Sequence, residues 1–446
     1  MQAAAQSDNG WEAPPGSGPV HATIRLPGSK SITNRALIIA ALATGPTTIG
    51  RPLAARDTEL MAAAIGALGA TVTRAPGGDN GAGDNSGSDN SDAWTVTPGW
   101  SGDPATVDVG NAGTVLRFVP PLAALAKADV RFHGDSRAAQ RPVGQLLDGL
   151  RQIGVEVDDA GRAAVPFTIR GRGGVRGGSV ALDASASSQF ISALMLAAPR
   201  YDAGVVIRHV GDRIPSAPHI AMTASMLMAA GAAVQADGNS WRVWPGSLNP
   251  GLLTVEPDLS NAAPFLAAAL VTGGQVTIPG WPEPSLQAAG PIVDVLCEMG
   301  ATAELNSAGL RIRGTGRISG IRADLRDVSE LTPVLCALAA IADGPSAFTG
   351  IGHLRLHESD RLAALAREIG ALGGQVTELP DGLRVQPRPL RPGPEPFDSY
   401  DDHRLVMGAA VLALAVPGLR VRNANTVGKT FPGFMALWQQ MLEQRS

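Results

Sequence analysis

The sequence predicts a mixed α/β protein of two domains, built from six copies of a βαβαββ repeat. Six polar segments, spaced roughly 75 residues apart, each open a helix of small apolar residues. Amphipathic helices alternate with them, and a glycine then introduces a short strand. Six such repeats in 446 residues exceed what one core usually holds, so we expect three repeats in each of two domains.

Polar residues of the Ser, Asn and Asp type are common caps of helix N-termini, and they mark the starts of the small-residue helices. The marker residues are Ser31, Asn111, Ser187, Ser260, Ser329 and Asp402. The amphipathic helices are expected within 57–72, 142–157, 218–234, 291–303, 359–376 and 429–442. Short strands are expected at 179–182, 241–244 and 310–313.

The repeat count also predicts the domain boundaries. We expect a flexible N-terminal tail at 1–20, a domain I made of 21–28 and 250–446, and a domain II of 29–249. The strand at 22–26 precedes the first repeat, so it is expected to belong with the C-terminal half. Segment 76–92 is rich in Gly, Asp, Asn and Ser, and we interpret it as a disordered insert because it has too little apolar surface to bury.

Composition excludes several classes of function. A net charge of −4 and an aromatic content of 4% argue against nucleic-acid binding and against an acidic membrane surface. No apolar stretch reads as a membrane span, and residues 1–20 do not read as a signal peptide. Cys297 and Cys336 lie far apart and no metal-binding motif is visible, so we expect no metal and a cytoplasmic location.

Lysine usage singles out one turn. The chain has 36 lysines and arginines, of which three are lysines, and Lys30 stands in a Gly/Ser turn just before an apolar helix. An ammonium group exchanges protons far more readily than a guanidinium, so Lys30 is a candidate for chemistry as well as for charge. Free N–H groups at the helix start would add an anion site.

Further polar and charged residues collect near the starts of the other helices. They include Asn111, Gly113, Thr114, Arg141, Ser187, Ser188, Gln189, Ser216, His219, Glu330, His357, Glu358, Arg361, His403, Arg404 and Lys429. If the small-residue helices of a domain lie side by side, their N-termini form an electropositive cleft for small phosphates and carboxylates. Taken singly, each group is equally well read as a helix cap or a surface pair, and only their recurrence favours a site.

Six motifs then identify a resemblance. They occur in the order PGSKSITNR, GNAGT, SSQF, HESDRL, DDHR and KTFP. Together they resemble the 5-enolpyruvylshikimate-3-phosphate synthase family over about residues 20–442. The resemblance implies a two-domain inside-out α/β barrel fold with three βαβαββ repeats per domain, in agreement with the repeat count.

The resemblance also implies an activity. Members transfer the enolpyruvyl group of phosphoenolpyruvate to the 5-hydroxyl of shikimate 3-phosphate and release phosphate, without a metal or an organic cofactor. The step belongs to the shikimate pathway of aromatic amino acid and chorismate biosynthesis. By the same resemblance we expect a monomer with no nucleic-acid or membrane partner. Gly113 leaves room for glyphosate, so we expect the protein to be a glyphosate target.

Site residues are carried over from the matching motif positions. The resemblance implies Lys30, Glu330, Glu358 and His403 as catalytic residues. It implies that shikimate 3-phosphate is bound by Lys30, Ser31, Arg35, Ser187, Ser188, Gln189, Ser216, Glu330 and His357. It implies that phosphoenolpyruvate is bound by Lys30, Asn111, Gly113, Arg141, Gln189, Arg361, Arg404 and Lys429. Which of Lys30, Glu330 and Glu358 moves which proton stays open.

The chain departs from the family pattern at several positions. Glu330 stands where many members have Asp, and His357 stands where many have Lys, which would replace a fixed charge with a group that titrates near neutrality. His219 and Gly433 also differ from the usual residues. Two alternatives remain at this stage: a UDP-N-acetylglucosamine enolpyruvyl transferase and a non-catalytic anion-binding relative.

Overall fold

The computed structural model describes residues 10–74 and 93–444. Residues 1–9 of the predicted tail and the predicted insert at 76–92 lie outside the described residues. The chain divides into two compact units: unit 1 contains the described residues up to Leu26 and from Pro257 onward, and unit 2 runs over Pro27–Glu256.

The described residues form α-helices at the following bounds: α1 Lys30–Leu42, α2 Arg56–Ala67, α3 Gly113–Ala123, α4 Gly144–Gln152, α5 Gln189–Ala197, α6 Pro218–Ala229, α7 Leu259–Thr272, α8 Ala289–Glu298, α9 Thr332–Ala340, α10 Arg361–Ala371, α11 His403–Ala413 and α12 Phe434–Glu443. Short 3₁₀ helices lie at Ala138–Gln140, Ala198–Arg200, Arg326–Leu331, Gly352–Leu356 and Ala424–Lys429.

The strands of the same residues are β1 Trp11–Glu12, β2 His21–Thr23, β3 Thr47–Gly50, β4 Thr71–Arg74, β5 Trp94–Thr97, β6 Ala105–Asp108, β7 Asp129–His133, β8 Glu156–Asp158, β9 Phe167–Arg170, β10 Gly178–Leu182, β11 Val205–His209, β12 Val234–Asp237, β13 Ser240–Val243, β14 Leu252–Thr254, β15 Gln275–Ile278, β16 Thr302–Asn306, β17 Gly309–Arg313, β18 Arg322–Asp324, β19 Ser346–Thr349, β20 Gln375–Leu379, β21 Gly382–Gln386, β22 Phe397–Asp398 and β23 Arg420–Arg422.

Unit 2 is built around three helices that are buried on nearly all sides. Helices α1, α3 and α5 contact one another, and their residues are almost all buried. A helix without a polar face is stable in water only when other elements surround it. Three sheets do so, in the strand orders β14-β3-β5-β4, β6-β7-β9-β8 and β10-β11-β13-β12.

Unit 1 repeats this arrangement with α7, α9 and α11 as the mutually contacting buried helices. Its sheets have the orders β2-β15-β17-β16, β18-β19-β21-β20 and β1-β23-β22. The buried helices lie inside and the sheets outside, which is the inside-out arrangement that the resemblance implied. The α/β class and the predicted repeats are therefore confirmed over the described residues.

One pattern of pairing recurs in the four-stranded sheets. The first two strands run parallel, as in β18 and β19, where Asp324 is opposite Thr349. The last two strands form an antiparallel hairpin, as in β20 and β21, which pair Val376 with Val385. Parallel neighbours need a crossover connection, and a small-residue helix supplies it in three of these sheets: α3 between β6 and β7, α5 between β10 and β11, and α9 between β18 and β19.

Two sequence-based boundaries need correction. Residues 10–20 are not a flexible tail: Trp11 pairs with Val421 across β1 and β23, and Ala13 is fully buried. The second boundary lies at 256/257 rather than 249/250, because β14 follows Pro250-Gly251 and pairs with β3 of unit 2. In both places a short strand completes the edge of a sheet whose other strands lie far away in the sequence. Strand β2 pairs with β15 of unit 1.

Candidate active site

The predicted site residues form two clusters, one within each unit. The unit 2 cluster contains Lys30, Ser31, Arg35, Asn111, Gly113, Arg141, Ser187, Ser188, Gln189 and Ser216. The unit 1 cluster contains Glu330, His357, Glu358, Arg361, His403, Arg404 and Lys429.

The unit 2 cluster lies at the N-terminal ends of its buried helices. Lys30, Gly113 and Gln189 are the first residues of α1, α3 and α5. The Asn34 amide donates to the Thr114 hydroxyl at 2.7 Å, which joins the first turns of α1 and α3. The three starts therefore lie together, and the free N–H groups of helix N-termini favour anions there.

Lys30 is held by a buried carboxylate. Its Nζ lies 3.2 Å from Oδ2 of Asp57, in the first turn of α2. The Asp57 side chain is 1% exposed, whereas that of Lys30 is 17% exposed, so the ammonium keeps access to solvent while its partner does not. The sequence analysis missed Asp57, because an acid in the first turn of an amphipathic helix is usual without any functional role.

Arg35 is fully buried among protein groups. Its Nε donates to the Thr223 hydroxyl at 2.7 Å, and its guanidinium also reaches the carbonyl oxygens of Ser31 at 3.0 Å and His219 at 3.1 Å. It stacks over the Phe118 ring at 5.0 Å. These contacts tie α1 to α3 and α6, and its role as a ligand stays a prediction.

Two arginines surround the start of α3. Arg141 Nη1 donates to the Asn111 carbonyl at 2.6 Å and lies 3.2 Å from the Asn111 side-chain oxygen. Arg117 donates to Oε1 of Gln189 at 3.0 Å, which joins α3 to α5. A Cβ on Gly113 would lie 2.5 Å from Nη2 of Arg141 and 2.8 Å from Nη1 of Arg117. A larger residue at 113 would therefore displace these guanidiniums, and Arg117 joins the cluster although it is not among the residues expected from the sequence.

The serine residues lie on the loops that precede α5 and α6. Ser187 Oγ accepts from the Gln189 backbone N–H at 3.3 Å, and Ser188 is buried. Ser216 adopts a left-handed φ of 52° just before α6, a conformation that most residues avoid. Strained residues often mark functional loops, and this placement fits the predicted contact of Ser216 with substrate.

In unit 1, Arg361 lies at the centre of the cluster. Its side chain is 1% exposed, and its Nε donates to Oδ2 of Asp402 at 2.8 Å. The two Nη atoms lie 3.0 Å from Glu330 Oε2 and 3.0 Å from Glu358 Oε2. One buried guanidinium thus contacts three carboxylates, and its Nη1 also lies 3.3 Å from His357 Nδ1.

Glu330 lies in the 3₁₀ helix that connects β18 to α9, with a side chain that is 26% exposed. Burial by itself would raise the pKa of Glu330, but the guanidiniums of Arg361 and Arg404 hold the pKa of that carboxyl well below its usual range. Arg404 Nε lies 3.5 Å from its Oε2. Glu330 is therefore ionised at neutral pH.

His357 lies beside both predicted catalytic carboxylates. Its Nδ1 is 3.9 Å from Glu330 Oε1 and 4.0 Å from Glu358 Oε2. Burial, together with the nearby Arg361, lowers the pKa of His357 well below its ordinary value. The expectation that His357 titrates near neutrality is therefore wrong: the imidazole is neutral at pH 7.

Asp402 caps α11 and was used in the sequence analysis only as a repeat marker. Its Oδ1 accepts from the Arg404 backbone N–H at 3.0 Å, and its Oδ2 accepts from Ser359 Oγ at 3.0 Å. His403 is 1% exposed and lies 3.7 Å from Asp402, so its ring faces the interior of the unit. This burial argues against substrate contact by His403, whose catalytic role stays a prediction.

Lys429 is buried at the end of the 3₁₀ helix Ala424–Lys429. The predicted helix over 429–442 starts too early, because α12 begins at Phe434. Pro432 lacks a backbone N–H, and Gly433 has a left-handed φ of 81°, so the chain turns before the helix begins.

The sequence of this chain matches known proteins along its whole length. The model of a protein family described as EPSP synthase (3-phosphoshikimate 1-carboxyvinyltransferase) matches residues 14–438. A relative from Kocuria rhizophila, named 3-phosphoshikimate 1-carboxyvinyltransferase, is 48% identical over 438 residues, which is 98% of this chain and 97% of the relative.

Solved structures agree in fold. An EPSP synthase structure from Acinetobacter baumannii superposes with a TM-score of 0.75 at 22% identity, covering 96% of this chain and 97% of that chain. The enolpyruvyl transferase NikO from Streptomyces tendae superposes with a TM-score of 0.70 at 17% identity, covering 96% of each chain. At these identities the likeness establishes the fold alone.

Proposed function

The chain belongs to the EPSP synthase (3-phosphoshikimate 1-carboxyvinyltransferase) family, and we propose how its residues divide the work of the family's reaction. The enzyme transfers the enolpyruvyl group of phosphoenolpyruvate to the 5-hydroxyl of shikimate 3-phosphate and releases phosphate. The family and the activity inferred from the six motifs are confirmed. The geometric observation that best supports the assignment of roles is the pair of carboxylates, Glu330 and Glu358, held on one buried guanidinium.

Shikimate 3-phosphate is proposed to bind mainly at the helix starts of unit 2. Hydroxyl groups and backbone N–H groups at a helix N-terminus suit a phosphate. Support comes from the loops before α5 and α6, which present Ser187 and Ser216 next to the buried Arg35 network. The proposed ligands are Lys30, Ser31, Arg35, Ser187, Ser188, Gln189 and Ser216, with Glu330 and His357 from unit 1.

Phosphoenolpyruvate is proposed to bind cations from both clusters. In unit 2, the Arg141 guanidinium lies directly against Gly113 at the start of α3, and a cation at a helix N-terminus suits one of its anionic groups. The proposed unit 2 ligands are Lys30, Asn111, Gly113, Arg141 and Gln189. The proposed unit 1 ligands are Arg361, Arg404 and Lys429, which are all buried and cationic.

Glu330 is proposed to accept the proton of the 5-hydroxyl. In the free protein the low pKa of Glu330 makes it a weak base, because Arg361 and Arg404 stabilise its charge. A substrate carboxylate that binds these guanidiniums weakens that stabilisation, and the pKa of Glu330 then rises toward the value a base requires. Binding of the second substrate would thus activate the base for the first.

Glu358 and Lys30 are proposed to deliver and relay the proton that the methylene carbon of phosphoenolpyruvate receives. Glu358 is 7% exposed and adjoins the neutral His357, so it lies in a poorly hydrated environment in which a carboxyl group can exchange protons. Lys30 keeps solvent access beside Asp57 and can restore the proton balance. His403 is assigned to positioning because its ring is buried.

A phosphate-release assay tests the function and its alternatives together. Purified protein should release phosphate from phosphoenolpyruvate when shikimate 3-phosphate is present, and not when UDP-N-acetylglucosamine replaces it. Turnover with the nucleotide sugar would support the sister transferase. A folded protein that turns over neither acceptor would support a non-catalytic relative and contradict the proposal.

Assembly and location are also proposed. Every proposed ligand comes from a single chain, which supports a functional monomer, and light scattering during size-exclusion chromatography would test it. Cys297 and Cys336 are unpaired, which supports a reducing cytoplasmic location. Over residues 10–74 and 93–444, no helix has the length and apolarity needed to cross a membrane.

A further inference from the structure

The loop that leads into α11 is strained. Tyr400 and Asp401 are consecutive residues with left-handed φ angles of 50° and 56°. Such a conformation is unfavourable for any residue other than glycine, because the Cβ approaches the following carbonyl oxygen. The next residue is Asp402, which caps α11 and accepts the hydrogen bond of Arg361. The strain therefore lies immediately before the residue that organises the unit 1 cluster.

Helix α10 contacts this loop at two points. Its first residue, Arg361, binds Asp402, and Glu368 lies two turns later on the same face. Oε1 of Glu368 accepts from the Tyr400 hydroxyl at 2.7 Å, and its Oε2 accepts from the Asp398 backbone N–H at 3.0 Å. Glu368 is 7% exposed, and besides these two donors Nε of Arg367 lies 4.0 Å from its Oε1.

We propose that Glu368 and Tyr400 are a positioning pair for the reaction. The pair holds residues 398–402 in the strained conformation in which Asp402 meets Arg361 and Arg404 approaches Glu330. Neither residue belongs to the proposed ligands, so the pair acts through Asp402 and Arg404. The kinetic part of this inference rests on the proposed function, whereas the conformational part does not.

Other contacts also restrain the loop. The Tyr400 backbone N–H donates to Asp398 Oδ1 at 2.8 Å, and the Ser399 hydroxyl donates to the Asn423 carbonyl at 3.3 Å. Asn423 also donates to Asp401 through its side chain. These contacts survive removal of the phenol hydroxyl, so we expect displacement of the loop rather than unfolding of the unit.

Tyr400→Phe is the first test. We expect the KM for phosphoenolpyruvate to rise about five-fold, the loss that one buried hydrogen bond typically produces, with less than a two-fold change in the KM for shikimate 3-phosphate. The chain has two tyrosines, and the other supplies a matched control. The Tyr201 hydroxyl is buried in unit 2 and donates to the Pro121 carbonyl at 2.8 Å. Tyr201→Phe loses a comparable bond and should leave both KM values unchanged.

Substitutions of Glu368 provide a rescue test. Glu368→Ala removes both acceptors and should raise the KM for phosphoenolpyruvate by more than Tyr400→Phe does. Glu368→Gln keeps one acceptor for the Asp398 N–H, and its amide can donate to the Tyr400 oxygen, because a phenol both donates and accepts. We therefore expect Gln at this position to restore most of the affinity that Ala loses.

Hydrogen exchange gives a readout that needs no substrate. In Tyr400→Phe, the backbone amides of 398–404 should exchange about five-fold faster than in the wild type, and those of α12 should not change. Unchanged exchange in this loop together with an unchanged KM for phosphoenolpyruvate would overturn the inference. A wild-type protein without turnover would contradict the proposed function, and hydrogen exchange alone would then decide the conformational claim.

Discussion

The two clusters are built on similar helix triads but differ in charge balance. In unit 2, the cations Lys30, Arg117 and Arg141 gather at three helix N-termini, and Asp57 is a buried acid paired with one of them. In unit 1, one arginine is shared among three carboxylates. The first arrangement favours anion binding, and the second fixes carboxylates in a defined protonation state. On the roles proposed above, the same repeat serves mainly anion binding in unit 2 and places the two proposed proton-transfer carboxylates in unit 1.

The largest effect is expected when the centre of the unit 1 cluster is altered. In Arg361→Lys, the ammonium group lacks the planar donor geometry with which the guanidinium contacts three carboxylates. The buried carboxylates are then poorly paired. We expect a loss of about 3 kcal/mol in the free energy of unfolding, measured with urea, and at least about a thousand-fold loss of kcat/KM. Arg367→Lys, on the exposed face of the same helix, is the control and should match the wild type. If the Arg361 variant kept its activity, Arg361 would not be needed to organise the unit 1 cluster.

Lys30 is the residue of the unit 2 cluster to which we assign proton transfer in addition to substrate binding. Lys30→Arg keeps the charge but loses a group that exchanges protons, so we expect kcat to fall about a hundred-fold or more. Lys127→Arg changes an exposed lysine of the same unit and should have no effect. A near-normal kcat for the Lys30 variant would reduce Lys30 to a binding cation.

A smaller, affinity-based effect is expected at Gly113. An added methyl group meets the Arg141 guanidinium at 2.5 Å, so that side chain must move. We expect Gly113→Ala to raise the KM for phosphoenolpyruvate about ten-fold and to weaken inhibition by glyphosate as well. Gly66→Ala, which adds a methyl group where no atom lies within 4 Å, is the control. An unchanged KM would show that the position of the Arg141 guanidinium beside Gly113 does not matter for substrate binding.

The smallest effect concerns pH. Burial lowers the pKa of His353 to about 4 and that of His357 well below its ordinary value of 6.5. Between pH 6.5 and 4 the unfolded chain therefore binds protons that the folded chain does not, so stability falls as the pH is lowered.

Each histidine contributes up to about 1.4 kcal/mol per pH unit to this slope. Urea titrations at several pH values should show a flatter slope in His353→Asn and His357→Asn than in the wild type, and no change in the exposed control His21→Asn. Parallel slopes in all four proteins would show that the histidines of the unit 1 cluster are not buried as neutral groups.

Much of the fold could be predicted from local pattern. The small-residue helices and the strands near 180, 242 and 311 follow from periodicity, which is a property of neighbouring residues. The edge strands β1 and β14 could not be predicted, since their pairing partners lie far away in the sequence. Local pattern also cannot show that α12 begins only after Pro432 and Gly433, at Phe434, instead of beginning at 429 and being interrupted there.

For the site, sequence motifs supplied the residue types but not their partners. Asp57, Arg117 and Asp402 each read as an ordinary helix residue, and they gain significance only through contacts with Lys30, Gln189 and Arg361. Likewise, nothing in the sequence indicates that His357 is neutral, because its pKa depends on burial and on a neighbouring guanidinium. The DDHR motif did offer one signal, since an aspartate before a helix is a frequent cap.

The division between binding in unit 2 and proton transfer in unit 1 is tested most directly by phosphate release in two isosteric variants. Glu330→Gln and Glu358→Gln keep the size of each side chain but remove its ability to exchange a proton. At saturating phosphoenolpyruvate and shikimate 3-phosphate, we predict that kcat falls at least about a hundred-fold in each, while both KM values stay within a few-fold of the wild type. A wild-type kcat in either variant, or a loss that appears only in KM, would contradict the account.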